Sequence, residues 1–210
     1  MIPLQRCPEW DYRDHPQYVT LVPARAQELK GTLSTDKIAS ATTAMDTRHA
    51  HRKIFTDLTP VSYSYYAGHY RGESFECLKK CDVGVNGDPR VGERSYRVAF
   101  RMRRLSSFIR DVITALDKEK PITTKVELQR LVVFVSSSIV DFLTVHPYVN
   151  GNGHAARIIM CAIMLHCGFE SPWPIDSRPP DPQYITLISQ HRSGNPEPLQ
   201  RYILEWLISN

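Results

Sequence analysis

Between positions 146 and 157 the chain reads His-Pro-Tyr-Val-Asn-Gly-Asn-Gly-His-Ala-Ala-Arg, and these residue types at this spacing could hold a phosphate beside a base. Pro147 disfavours helical geometry at His146, so a helix arriving from the N-terminal side ends there. Asn150, Gly151, Asn152 and Gly153 tolerate positive φ, which lets the backbone curl with its N–H groups facing inward. Such a nest, continuing into a helix that starts at Gly153, is an anion site, because the unpaired N–H groups and the helix dipole point the same way. His154 and Arg157 stand three apart and share a helix face, so both could reach an anion over the helix N-terminus. His146, at the loop's other end, supplies a titratable imidazole and thus a general base. The competing reading is an ordinary Gly/Asn-rich turn between two helices with a solvated Arg157. Spacing alone does not separate the two.

The elements that must position this loop are helical. Phe100, Leu105, Phe108, Ile109, Val112, Ile113 and Leu116 recur at three- and four-residue steps, predicting a helix from Ala99 to about Lys120-Pro121. The next runs from about Thr124 to Val145 and delivers His146. A third, Gly153 to Cys167, is apolar over most of its circumference and therefore central, with Gly168 as its stop. Earlier, a helix begins near Ala24 and is interrupted around Gly31, and another spans Ala44 to Leu58, closed by Thr59-Pro60. The first twenty residues read as an irregular lead-in. From Val61 to Val98, turn signals at Asn86-Gly87-Asp88-Pro89 and Val91-Gly92 predict loop and hairpin. After a proline-rich connector from Glu170 to Pro182, two short helices, about Pro182–His191 and Glu197–Ile208, finish the chain. The architecture expected is a mostly helical, all-α domain with a small hairpin insert.

The 210 residues suffice for one well-buried core, and 42% hydrophobic with 23% charged residues is ordinary for a globular protein. The longest uninterrupted apolar run, Ile158 to Leu165, is too short to span a bilayer, and the start lacks a secretory pattern. A cytoplasmic address with no membrane partner follows as the expectation. Cys7, Cys77, Cys81, Cys161 and Cys167 fit no common zinc or redox spacing and are expected to be reduced and structural. The net charge of +4 suits an acidic ligand such as a nucleotide. Arg97, Arg101 and Arg104 form a one-sided stripe that reads as a solvated face rather than a nucleic-acid surface.

The segment from His146 to Arg157 closely resembles the signature of the Fic (filamentation induced by cAMP) family, H-x-F-x-[D/E]-G-N-[G/K]-R-x-x-R. The His, the aromatic Tyr148, Gly151-Asn152-Gly153 and Arg157 are all in register. Ala67-Gly68-His69-Tyr70-Arg71 is similar to the Ala-Gly-x-Tyr-Arg that precedes the family's flap, and Gly194-Asn195-Pro196-Glu197-Pro198-Leu199 to the stretch opening its last helix. The resemblance runs from about residue 44 to the C-terminus. It divides the chain into a lead-in, 1–43, and a single Fic-like helical domain with a small β-hairpin flap, 44–210.

The resemblance implies a nucleotidyltransferase that moves AMP, or another nucleoside monophosphate, from ATP or another nucleotide to a Ser, Thr or Tyr hydroxyl of a target protein. His146 would be the catalytic base. Gly151, Asn152 and Gly153 would form the anion hole, and Arg157 would bind the terminal phosphates. Tyr148 would pack beneath the loop. The target would dock along the flap, between Glu76 and Val98. Two positions depart from the pattern. Asn150 stands where the family has Asp or Glu, so Mg²⁺ (or Mn²⁺) would be held more weakly through a neutral amide. His154 stands where the first signature arginine grips phosphate, and an imidazole cannot make a guanidinium's fork. No full inhibitory-helix pattern is present: Ser193-x-x-x-Glu197 has its spacing but is followed by Pro198. If the chain is restrained, a separate inhibitory partner or another surface would have to do it. The departures leave a second function open, a degenerate Fic domain that binds nucleotide or a partner without turnover.

Overall fold

Helix α6 (Asn152–His166) is apolar on nearly every side, and a helix of that composition is stable only when surrounded. All of its residues except Gly153 and Leu165 are buried. In the computed structural model, which describes residues 7–85, 88–171, 173–178 and 183–209, α6 packs against α1 (Tyr18–Thr35), α2 (Lys37–Met45), α3 (Arg48–Phe55) and α5 (Lys125–Val145). Helix α4 (Ser95–Lys118) lies on α2 and α5, and α8 (Glu197–Ser209) on α5 and α7 (Gln183–Arg192). The all-α expectation therefore holds, with eight α-helices and no strand among the described residues.

One hydrophobic core joins these helices, from Trp10, Leu29 and Leu33 through Phe55, Ile109 and Leu131 to Leu199 and Ile203. Each such side chain contributes about 1.5–3 kcal/mol when fully buried. Helix α5 starts with a capping box, in which Thr124 accepts from the Glu127 N–H and the Glu127 carboxylate accepts from the Thr124 N–H. Among the described residues α5 is the one helix long and apolar enough to cross a membrane by composition, and half of that stretch is buried against its neighbours.

Several sequence expectations are corrected. Helix α1 begins at Tyr18 rather than Ala24 and passes through Gly31 without interruption. The cost of an exposed helical glycine, about 1 kcal/mol, is offset by burial of Val22, Ala26, Leu29 and Leu33 on the same face. The helix expected over 44–58 is instead two, α2 and α3. Asp46 takes an extended conformation between them, and its carboxylate accepts from the Arg48 N–H at 3.0 Å. The lead-in is partly ordered, with a 3-10 turn at Tyr12–Asp14.

The β-hairpin flap is not supported. Asn86 and Gly87 lie outside the described residues, and around them stands only an isolated bridge between Val85 and Asp88. The reason lies in where the backbone donors go. Gly92 and Glu93 donate to Thr144 O and Val145 O at the end of α5, both at 3.0 Å, rather than across a strand pair. A Cβ on Gly92 would sit 1.9 Å from Val83 O, and its φ is +97°, so the close folding of this segment needs glycine there.

The expectation of five reduced cysteines is also corrected. Cys7 and Cys77 form a disulfide across 70 positions, while Cys81, Cys161 and Cys167 are free. Spacing arithmetic cannot detect a pair so distant in sequence. Bonds of this kind persist in oxidising surroundings and open in a reducing cytosol.

Candidate phosphate site

The loop between α5 and α6 begins with a backbone reversal. His146 caps α5 in the left-handed region, φ 53° and ψ 60°, a conformation that costs a non-glycine residue about 1 kcal/mol or more. The surroundings over-determine it. Arg71, fully buried, donates from Nε to His146 O at 2.9 Å and from Nη2 to Val145 O at 3.1 Å. It also donates to Cys81 O and Glu93 O, at 2.8 and 2.9 Å, and its own N–H reaches Pro147 O. One guanidinium thus joins the end of α5 to the segment where the flap was expected.

The rest of the loop is stapled from inside. Asn152 brackets Tyr148: its Oδ1 accepts the Tyr148 N–H and its Nδ2 donates to Tyr148 O, each at 2.9 Å. The Tyr148 ring is buried beneath, stacked on His51 at 3.7 Å, with its hydroxyl 2.8 Å from Thr47 Oγ1. His51 accepts the Gly68 N–H at Nδ1, so its proton is on Nε2, which donates to Asn150 O at 3.0 Å. Burial pushes the His51 pKa down to about 3, consistent with that neutral form. Gly151 has φ +78°, and a Cβ there would lie 2.6 Å from Phe55 Cε2.

At the start of α6 the first helical bond runs from the Ala155 N–H to Gly151 O. The N–H groups of Asn152, Gly153 and His154 therefore open the helix without a partner one turn back. They border a cleft of about 860 Å³ that is also lined by His146, Asn150, Arg157, Asp176, Arg178 and Arg192. That volume suits a nucleotide-sized ligand. His146, Asn150, Gly151, Asn152, Gly153, His154 and Arg157 all line this one cleft.

What each can do there differs. His146 uses Nδ1 on Leu143 O, at 3.3 Å, which leaves Nε2 as the lone-pair nitrogen. Burial pushes its pKa down to about 4; the bond to Leu143 O opposes the shift, and the charges of Arg71 and Arg192 add to it. It is therefore neutral, and able to accept a proton, at neutral pH. His154 is committed elsewhere. Its Nδ1 donates to Ile175 O and its Nε2 accepts the Tyr12 hydroxyl, both at 2.8 Å, and burial holds its pKa near 3. Asn150 is committed too: Nδ2 donates to Trp10 O at 2.9 Å and Oδ1 accepts the Gly151 N–H at 2.7 Å. Turning that amide toward a magnesium ion would break both bonds. No cluster of three metal-ligating side chains stands among the described residues. The Asn150 side chain, as placed, thus does not serve as a Mg²⁺ ligand.

Arg157 is only 4% exposed, and its Nη2 donates to Ile175 O at 3.1 Å. Burial pulls its pKa down, and the nearby Tyr184 phenol opposes this. Its Nε has no hydrogen-bond partner, and no carboxylate pairs with it among the described residues. Among the site's other groups, Arg71 belongs to the Ala67-Gly68-His69-Tyr70-Arg71 segment, whereas His51, Tyr12 and Arg178 carry no local sequence signal. Trp10 and Tyr12 reach the loop from a lead-in anchored by the Cys7–Cys77 bond.

No protein-family model matches this chain, and no curated protein matches it.

Proposed function

We propose that the cleft binds the phosphates of a nucleotide such as ATP and transfers a nucleoside monophosphate to a protein hydroxyl. The observation that carries this reading is Arg157, a buried guanidinium that has no carboxylate partner among the described residues and an unsatisfied Nε, beside three N–H groups of α6 that have no acceptor among those residues. A buried charge without a counter-charge is costly even when it is hydrogen-bonded, and an anionic ligand would reduce that cost. His146 in the same cleft is a neutral imidazole with a free Nε2. In the step proposed, the target hydroxyl oxygen bonds to the α-phosphorus and the bond to pyrophosphate breaks. His146 Nε2 takes the hydroxyl proton, while Arg157 and the α6 N-terminus stabilise the departing charge.

The test is incubation with α-labelled ATP and a cell extract, with and without Mg²⁺ or Mn²⁺. The expected result is a labelled protein band that His146→Ala abolishes. An equal signal from the variant removes the base assignment. A second reading, nucleotide binding without turnover, is favoured by the internal commitment of Asn150 and His154. It predicts calorimetric ATP binding that Arg157→Gln weakens, with no transfer of label by the native chain.

A further inference from the structure

We propose that Arg178 is the second guanidinium of the phosphate site, taking over the work that position 154 does not do, so that Arg157 and Arg178 together cradle a polyphosphate. This rests on the reading of the cleft as a nucleotide site and names how that site holds charge. His154 spends its Nδ1 on Ile175 O, and Arg157 donates to the same carbonyl. One oxygen of the connector is thereby pinned to the first two turns of α6. Trp173, two residues earlier, is buried edge-on against Tyr184 at 4.7 Å, which fixes the connector's other side. Arg178 follows Ile175 by three residues and lines the cleft. His154 thus positions the segment that brings a new cation to the anion site.

Arg178 has no carboxylate pair among the described residues, although Asp176 lines the same cleft. The other arginines there are spoken for. Arg192 is held by Asp88 at 2.7 Å, and Arg13 is paired with Asp11. The charge of Arg178 adds slightly to the depression of the Arg157 pKa, which burial mainly causes. Two like charges facing one cleft, one of them nine-tenths buried and with an unsatisfied Nε, are relieved by a ligand carrying more than one negative charge. A nucleoside triphosphate fits that description, and a monophosphate fits it less well.

The experiment is calorimetric titration of ATP and of AMP into the full chain, in chelator, for the native protein, Arg178→Gln, Arg178→Lys and Arg157→Gln. Loss of one charge-assisted contact weakens binding by about ten- to a hundredfold. The expected result is that loss for ATP with Arg178→Gln, a smaller loss for AMP and partial recovery with Arg178→Lys. Arg178 is exposed, so the thermal midpoint of its variants should match the native one. Native affinity for ATP in Arg178→Gln, alongside a loss in Arg157→Gln, overturns the assignment and leaves the nucleotide site standing. An equal loss for AMP and ATP overturns the polyphosphate cradle. Absence of ATP binding by the native chain removes the nucleotide reading itself.

Discussion

Replacing Arg71 with Met keeps a long, flexible side chain in place but deletes the guanidinium that ties three parts of the molecule together. In the native protein its four side-chain bonds end on the carbonyls of His146, Val145, Cys81 and Glu93. Val145 O also accepts the Glu93 N–H and keeps that bond, whereas no other bond to His146 O, Cys81 O or Glu93 O is seen among the described residues. Three part-buried carbonyls therefore lose their partner, at about 1–3 kcal/mol each where water does not replace it. Removing a buried cation recovers part of that, because desolvating the guanidinium was itself unfavourable. The net expectation is a loss of about 3–5 kcal/mol, a large share of the roughly 5–15 kcal/mol that keeps a domain folded. Urea denaturation at pH 7.5, followed by the change in midpoint at constant slope, measures it. Arg71→Lys should fall between, since an ammonium has three donors and cannot span four carbonyls. A loss below about 1 kcal/mol for the Met variant would refute the idea that this guanidinium, rather than apolar packing, holds the end of α5 to the segment around Glu93.

Two further outcomes follow from the buried histidines and the disulfide. The folded pKa values of His51, His146 and His154 are depressed to about 3, 4 and 3, so between these values and about 6.5 the unfolded chain binds more protons. Their stabilisation is complete above pH 6.5 and is lost as pH falls toward 4, on the order of 1 kcal/mol per pH unit for each histidine; urea titrations at pH 7.5 and 5 that give equal stability would contradict it. The Cys7–Cys77 bond closes a loop spanning 70 positions, worth up to about 4 kcal/mol on chain entropy. Non-reducing peptide mapping should recover the two cysteines linked, and dithiothreitol should lower the urea midpoint, while five free thiols in the purified protein would disprove the bond.

The sequence by itself determined what depends on local periodicity and on residues close together in the chain. The all-round apolar pattern of Ile158–Leu165 required a central helix, and α6 is buried on nearly every side. Pro147 ended α5, and the Gly/Asn run produced a left-handed entry at Gly151 and a helix start with open N–H groups. Both follow from sterics within a few residues. Tertiary structure alone decided which side chains of that loop are free. Asn150 and His154 look like ligand groups in the sequence, yet Trp10, Tyr12 and Ile175 occupy their polar atoms from up to 142 positions away. The turn signals near Asn86 read as a hairpin, but the donors of Gly92 and Glu93 found the end of α5. Cys7 found Cys77 for the same reason. A hydrogen bond or disulfide forms with whatever partner the packed core brings within about 3 Å, and distance along the chain carries no record of that partner.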